Sequence, residues 1–348
     1  MSKLARNILI FVIILFFLVA FSPSYVSLDI DNLVYVAAIG IDKGSREKFN
    51  ISFQFTPGGA HSENGTTSKA PLVINSVEAS SIDSAVNLMN AYMAKELNLS
   101  HCRLIVFSEV VSYDGISNEI YTLINDPQVR PSTNVIVSKN TAKGYLENSE
   151  SPLENLITKH YQIFPNSSKY TGYVYDASLS DFYNQMLSPT AEPIAILGGI
   201  NTNSKEDAKQ NSSDVSDIKS TNTSFVGENN TENFGVAVFR DDKLVGELTA
   251  LETLCLSILQ KQVNSFFVQI PDLNDTDKKI DLMFYPKDDC KIDVSLIHGN
   301  PYITIDANFT ARIYSMNENS KYLDNQVLKD LSQKANNYLK DVFTRIFV

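Results

Sequence analysis

The chain has 348 residues, a net charge of −11 and a pI near 4.9. An acidic surface of this kind repels phosphate backbones, which excludes nucleic acid as the expected partner. Apolar residues make up 43% of the chain, close to the globular norm, and no second long apolar run follows the first, which excludes a polytopic channel or transporter.

The N-terminus carries that first run, Ile8 to Phe21, preceded by Lys3 and Arg6. Fourteen helical residues reach roughly 21 Å, and counting from Leu4 gives about 27 Å, against a hydrocarbon slab of about 30 Å. A cationic flank before a short apolar core fits both a spanning anchor and a secretory signal. In either case the remainder is expected on the far side of the membrane. Ile8, Phe11, Ile14, Phe17 and Phe21 are the anchoring side chains of this reading, and residues 1–27 its segment.

About 325 residues remain, enough for two or three domains. Leu33 to Ile41 reads as a buried strand and Asp42-Lys43-Gly44-Ser45 as a turn. Phe49, Ile51, Phe53 and Phe55 alternate with polar residues, the period of a half-buried strand closing a hairpin. Residues 57–70 form a polar loop without the lysine and hydroxyl of a phosphate loop. Leu72 to Val77 is a strand. Ser80 or Ser81 then caps a helix carrying Ile82, Val86, Met89, Met93 and Leu97. Leu104–Phe107 and Val135–Val137 are strands around a helix over 116–124. Helices are expected within 141–147, 152–162 and 178–187, and a strand over 194–197. Residues 28–200 are one α/β region or two subdomains.

Residues 201–233 are rich in Asn, Ser, Asp and Lys and read as an exposed linker or loop, the main boundary of the chain. Residues 234–348 then form a second α/β domain. It opens with a hairpin (234–239, 244–248) and a helix over 250–260. Strand-like runs follow at 265–270, 280–285, 291–297 and 302–314. A closing amphipathic helix from about Asn325 packs on the sheet or faces a partner or membrane. The expected fold class is α+β, a multi-domain mixed α/β body behind an N-terminal hydrophobic segment.

Catalytic equipment is not visible. His101 and Cys102 are adjacent at a strand start and point to opposite faces, so they do not form a nucleophile–base pair. Cys102, Cys255 and Cys290 show no C-x-x-C spacing and allow at most one disulfide. The acidic clusters at 241–242, 272–277 and 288–289 lie in turns and lack the glycine and distal glutamate of a calcium loop. No catalytic, cofactor or metal site is expected.

Several segments, in order, resemble the Ger(x)C family, the C subunits of bacterial spore nutrient germinant receptors. They are Val36 to Lys43 (VAAIGIDK), Leu99 to Glu109 (LSHCRLIVFSE), Asp126 through Arg130-Pro131, Gly235 to Gly246 (GVAVFRDDKLVG) and Gly299-Asn300-Pro301 through Ile305. The resemblance implies a three-domain mixed α/β fold and a non-enzymatic accessory subunit held at the outer face of the spore inner membrane. Its implied partners are a membrane-embedded A subunit and a transporter-like B subunit. The signature positions are Gly40, Asp42, Lys43, His101, Arg103, Glu109, Arg130, Pro131 and Gly246, read either as internal structure or as a docking surface. Two departures stand out. Serine occupies position 24, where family members carry a lipidated cysteine, so Ser24 cannot form the thioether and an uncleaved helical anchor is expected. Family chains also commonly continue into a tryptophan-containing segment, and this sequence has no Trp, which leaves open whether its C-terminal domain is complete.

A different class, an extracytoplasmic germinant-binding module, would need an aromatic-lined pocket. Tyr161, Tyr170, Tyr173, Tyr175 and Tyr183 are the one concentration that could line it. A secreted hydrolase ranks last for want of a convergent nucleophile, base and orienter.

Overall fold

The structure, a computed structural model, describes residues 3–20, 32–56, 72–150, 153–201, 215–227, 230–273, 275, 277–315 and 324–346. Phe21 and Ser24 lie outside them, as does the 57–70 loop. The chain divides into two compact units, Met1–Leu33 and Val34–Val348.

The first unit holds one helix, α1 (Lys3–Ala20). Every described side chain of it is exposed, including Ile8, Phe11, Ile14 and Phe17. Among the described residues, no helix is long and apolar enough to cross a membrane.

The second unit is built on a sheet of nine strands. Its members are β1 (Leu33–Lys43), β2 (Phe49–Thr56), β3 (Val73–Ala79), β4 (Glu96–Asn98), β5 (Leu104–Ser108), β6 (Asn134–Ser138), β7 (Ile194–Ile200), β8 (Thr231–Arg240) and β9 (Lys243–Leu248). The order is β3-β2-β1-β5-β6-β7-β8-β9, with β4 beside β1. The β1–β5, β5–β6 and β6–β7 pairs are parallel, and the β1–β2, β2–β3, β7–β8 and β8–β9 pairs antiparallel. Parallel central strands need cover on both faces, and the runs LIVF and VIV within them supply the unbroken apolar stretches for it. Ile39, Ile105, Phe107, Val135 and Val137 pack with α2 (Ile82–Met93), α4 (Ser117–Asn125) and α8 (Leu179–Leu187). Ala38, Leu104, Val106, Ile136 and Ile196 pack on the other face with α5 (Ala142–Asn148) and α6 (Ile157–Ile163). Helix ends follow local chemistry. Ser81, Thr141 and Ser178 accept the N–H groups of Ser84, Gly144 and Asp181.

A smaller body follows α9 (Ala250–Leu259), which opens with a Thr249–Glu252 capping box. Its sheet is β10 (Phe266–Pro271), β11 (Lys279–Pro286) and β14 (Phe309–Ser315), in that order and antiparallel. The core beneath is Leu251, Leu254, Ile258, Phe266 and Phe284 against Leu331, Ala335, Leu339 and Val342 of α10 (Asn325–Ile346). The amphipathic face of this last helix therefore packs inward. Strands β12 (Lys291–Ile297) and β13 (Asn300–Asp306) form a separate two-stranded ribbon. Ile292, Val294, Leu296 and Ile303 share one face of it, with Val294 66% and Leu296 76% exposed.

Four expectations are corrected, and one helix is added that the sequence reading did not contain. Asp42 and Lys43 belong to β1, and the reversal is made by residues 44–48, where Gly44 N–H donates to the Lys48 carbonyl (3.2 Å). Leu97 is not on the helix, which stops at Ala94 with φ 50° before Leu97 enters β4. A short helix, α3 (Glu109–Asp114), follows β5 directly. The run 302–314 is two strands in different sheets. Finally, 201–233 does not separate two sheets, because β8 pairs with β7 across it. Its described part is held in place: Ile218, Ser220 and Thr223 are buried, and Lys219 shares Glu247 with Lys139 (3.5 and 2.5 Å). The buried Glu232 accepts from Asn201 (3.1 Å), Thr221 and Thr223.

The 44–48 turn is clamped by Glu78, whose carboxylate accepts the Ser45 hydroxyl (2.5 Å), the Ser45 N–H (2.9 Å) and the Arg46 N–H (3.0 Å). These bonds, the Ser45 hydroxyl foremost, hold its pKa down to about 2. A depressed carboxyl stabilises the fold above the ordinary value of 4.5 and loses that effect as the pH falls toward 2. Amide protection at Ser45 and Arg46 should therefore fall across that window, and Glu78→Gln should remove the dependence, as read by hydrogen exchange.

Candidate functional site

The signature residues fall at two ends of the central strands. At the C-terminal end of β5, positions 38, 40 and 42 of β1 face α5. A Cβ on Gly40 would meet Leu146 at 3.0 Å and Ala142 at 3.3 Å, so any larger residue would press on the helix at this approach. Two residues on, Asp42 accepts the Ala142 N–H (2.7 Å) and the Lys143 N–H (2.9 Å), capping α5 from across the sheet. Lys43 pairs with Asp114 (2.9 Å) at the end of α3 and lowers that carboxyl. Glu109 opens α3 and accepts the Tyr113 hydroxyl (3.4 Å). These four residues position helices. Gly246 lies in β9 opposite Val238, with open space where a Cβ would be.

The other end gathers Tyr35, His101, Arg103 and Arg130. Three backbone segments are laced together there: Arg103 N–H donates to the Ala37 carbonyl (2.9 Å), Asn134 N–H to Arg103 (3.0 Å), and the Thr133 hydroxyl to Cys102 (3.2 Å). The Arg130 Nε donates to the Ser100 carbonyl (3.1 Å), and Pro131 accepts the Ser180 N–H (2.9 Å). The His101 ring stacks on Tyr35 with centroids 4.4 Å apart. Among the described residues, no carboxylate forms an ion pair with Arg103 or Arg130. The nearby Asp126 instead accepts the Gln128 N–H (2.7 Å). Partial burial, then Arg103 and Arg130, push the His101 pKa down, and burial followed by Arg130 does the same to Arg103. On an acidic protein this is a concentrated positive patch of half-buried and exposed groups.

Cys102 sits between these cations but is fully buried, its thiol pushed up to about 12 by desolvation and donating to the Leu104 carbonyl (3.5 Å). It is poorly suited to nucleophilic work. Cys102, Cys255 and Cys290 are free thiols. Among the described residues, no group of three or more His, Cys, Asp or Glu is placed to hold a metal ion. The acidic clusters serve turns and caps: Asp242 accepts the Ser117 N–H (3.1 Å), Asp275 the Asp277 N–H (3.2 Å), and Asp289 pairs with Lys261 (2.7 Å).

The five tyrosines do not line one pocket. Tyr161 is buried under the main sheet and donates to Gln54 (2.8 Å). Tyr173 and Tyr175 reach across to Phe267 and Gln260 of the smaller body. Tyr183 meets Tyr121 edge-on, and Tyr170 is exposed. Residue reading missed a polar cleft along this seam, because its walls come from segments far apart in the chain.

If Arg103 and Arg130 suppress the protonation of His101, removing either must release it. Arg130→Ala should raise the His101 pKa, and so should Arg103→Ala, with an NMR titration of the ring as readout. An unchanged titration would show that burial alone sets it.

The chain matches two family models in succession. One describes a spore germination protein N-terminal domain (residues 27–198), the other the C-terminal region of spore germination B3/GerAC-like proteins (residues 234–347). It is 24% identical over 135 residues to YfkR of Bacillus subtilis (strain 168), a protein named for spore germination. That alignment covers 36% of this chain and 34% of the relative. Among solved structures, the crystal structure of the GerBC protein matches over 88% of this chain and 80% of its own, with 14% identity and a TM-score of 0.41. On its two successive family matches, the chain belongs to the Ger(x)C family, the C subunits of spore germinant receptors.

Proposed function

We propose that the chain is a non-enzymatic accessory subunit that supports assembly or signalling of a nutrient germinant receptor, docking through its positive patch. The reading is carried by one observation: Arg103 and Arg130 cluster without carboxylate partners among the described residues, beside the His101 ring stacked on Tyr35, on a protein of net charge −11. Retaining unpaired cations costs desolvation and mutual repulsion, which an acidic surface on a partner would repay. The partners in this reading are the membrane-embedded A and B subunits, and the place is the outer face of the spore inner membrane. The N-terminal segment is the anchor. Its helix is apolar on every side from Ile8 to Phe17, a composition that water does not favour, and Ser24 offers no thiol for a lipid.

Co-purification from spore membranes tests the proposal. Arg103→Glu with Arg130→Glu should abolish recovery of the partner subunits while the melting curve of the purified chain is unchanged. Recovery of an intact complex with the double variant would overturn the docking surface. Recovery of the wild-type chain from the soluble fraction, without the A and B subunits, would overturn the accessory role itself.

A further inference from the structure

The ribbon of β12 and β13 is the outer end of the hairpin begun by β11 and β14. Those two strands pair as far as Pro286 and Phe309, the Lys287 N–H donates to the Asn308 carbonyl (2.9 Å), and pairing resumes at Lys291 with Asp306. The ribbon closes at His298-Gly299, both with positive φ (51° and 83°), a turn whose twist suits two paired strands. The pairs Ile292–Ile305, Val294–Ile303 and Leu296–Pro301 make one face wholly apolar, while Lys291, Asp293 and Asp306 lie on the other. Ile305 carries the apolar face into a groove of about 620 Å³, which it lines with Phe309 and Ile313 of β14 and Leu339 and Phe343 of α10. The groove opens beside β14, whose outer edge no described strand pairs with. The opposite edge of the same sheet is covered: α7 (Ser168–Thr171) packs beside β10, and the Tyr173 hydroxyl donates to the Phe267 carbonyl (3.4 Å).

Alternation of this kind belongs to a ribbon with something packed on its apolar side. Here that side is bare, Val294 being 66% and Leu296 76% exposed with Ile292 and Ile303 close to half. A bare apolar face of roughly 400 Å² is of the size that marks an interaction surface on a monomer. Magnitudes then select the occupant. Two such faces laid together bury about 800 Å², the size of an incidental contact, whereas a specific interface needs about 1,200 Å². The groove supplies the difference, and a second copy brings both a ribbon and a groove. The apolar row runs from the groove at Ile305 to the tip at Leu296. A two-fold axis near Val294 and Ile303 therefore lays two ribbons antiparallel and sets each Leu296 in the other's groove. Charge disfavours an anionic lipid surface, since the ribbon offers Lys291 against Asp293 and Asp306 on a chain of net charge −11. Between two copies these charges stay on the outer faces, away from the contact.

We propose that this chain forms a two-fold dimer through its β12–β13 ribbon, apolar face to apolar face, each tip seated in the β14–α10 groove of the second copy. The proposal does not rest on the patch at Arg103 and Arg130, and its failure would leave that reading standing.

Disulfide trapping of the full chain in phosphatidylcholine vesicles tests it. Val294→Cys, combined with Cys290→Ser and mildly oxidised, should give a linked dimer. Ser295→Cys in the same background puts the thiol on the opposite face and should link about tenfold less. Adding Leu296→Asp to the Val294→Cys variant should cut the yield by about tenfold or more with the melting curve unchanged, because a carboxylate would be buried in the groove. Raising salt from about 0.05 to 0.5 M should increase the yield, as screening relieves the repulsion between two acidic chains. No linked dimer from Val294→Cys, equal linking from both faces, or a yield that falls with salt would overturn the dimer. So would a fluorophore on Val294→Cys that is buried even at one chain per vesicle, which would assign the face to lipid. Should Cys290→Ser fail to fold, the same comparison is made with Cys290 retained in every variant.

Discussion

Everything in this body depends on β5 and β6 being parallel neighbours buried on both faces. Parallel strands need crossovers, the crossovers here are helical, and helices on both faces turn a sheet into three layers. The side chains of β5 are therefore committed to packing, Leu104 and Val106 to one face and Ile105 and Phe107 to the other. Polar chemistry is expelled to the strand ends. That is why the signature residues separate into a helix-positioning set around Asp42 and a positive set around Arg103. The same strand run serves both, and nothing polar fits between.

The two ends differ in how far their groups are satisfied. Asp42 spends both carboxylate oxygens on the first turn of α5, and Gly40 gives that helix the room to approach. Lys43 has Asp114. At the opposite end the Arg130 guanidinium finds the Ser100 carbonyl and the two arginines feel each other's field, with the Tyr35–His101 stack at their side. A residue set with its bonds completed internally explains the fold. One left with uncompensated charge is the part of the signature on which the docking proposal rests.

Much of this was legible before the structure. The strands around 104–107 and 135–137 announce themselves by unbroken β-branched and apolar runs, the helix after residue 80 by its serine cap, and the closing helix by its stripe from Leu331 to Val342. What could not be read was long-range. Asp42 looks like a turn residue in sequence, because the helix it caps lies one hundred residues away. The Asn- and Ser-rich stretch before β8 looks like a boundary because its own apolar content is low; Ser220 and Glu232 tie its described part to β7 and β8 through hydrogen bonds that composition does not encode. The seam cleft was invisible for the same reason, its walls being joined only by the docking of two bodies.

The ribbon of β12 and β13 stands apart from this logic. Two strands alone bury too little to order themselves, and here the greasy side is wet and, among the described residues, no further strand pairs with either outer edge. Handled in isolation, such a hairpin is the adhesive part of the molecule: at high concentration, chains would stack edge to edge through it before any core came apart. Colloidal trouble with this protein would thus begin in this exposed hairpin rather than in a melted domain.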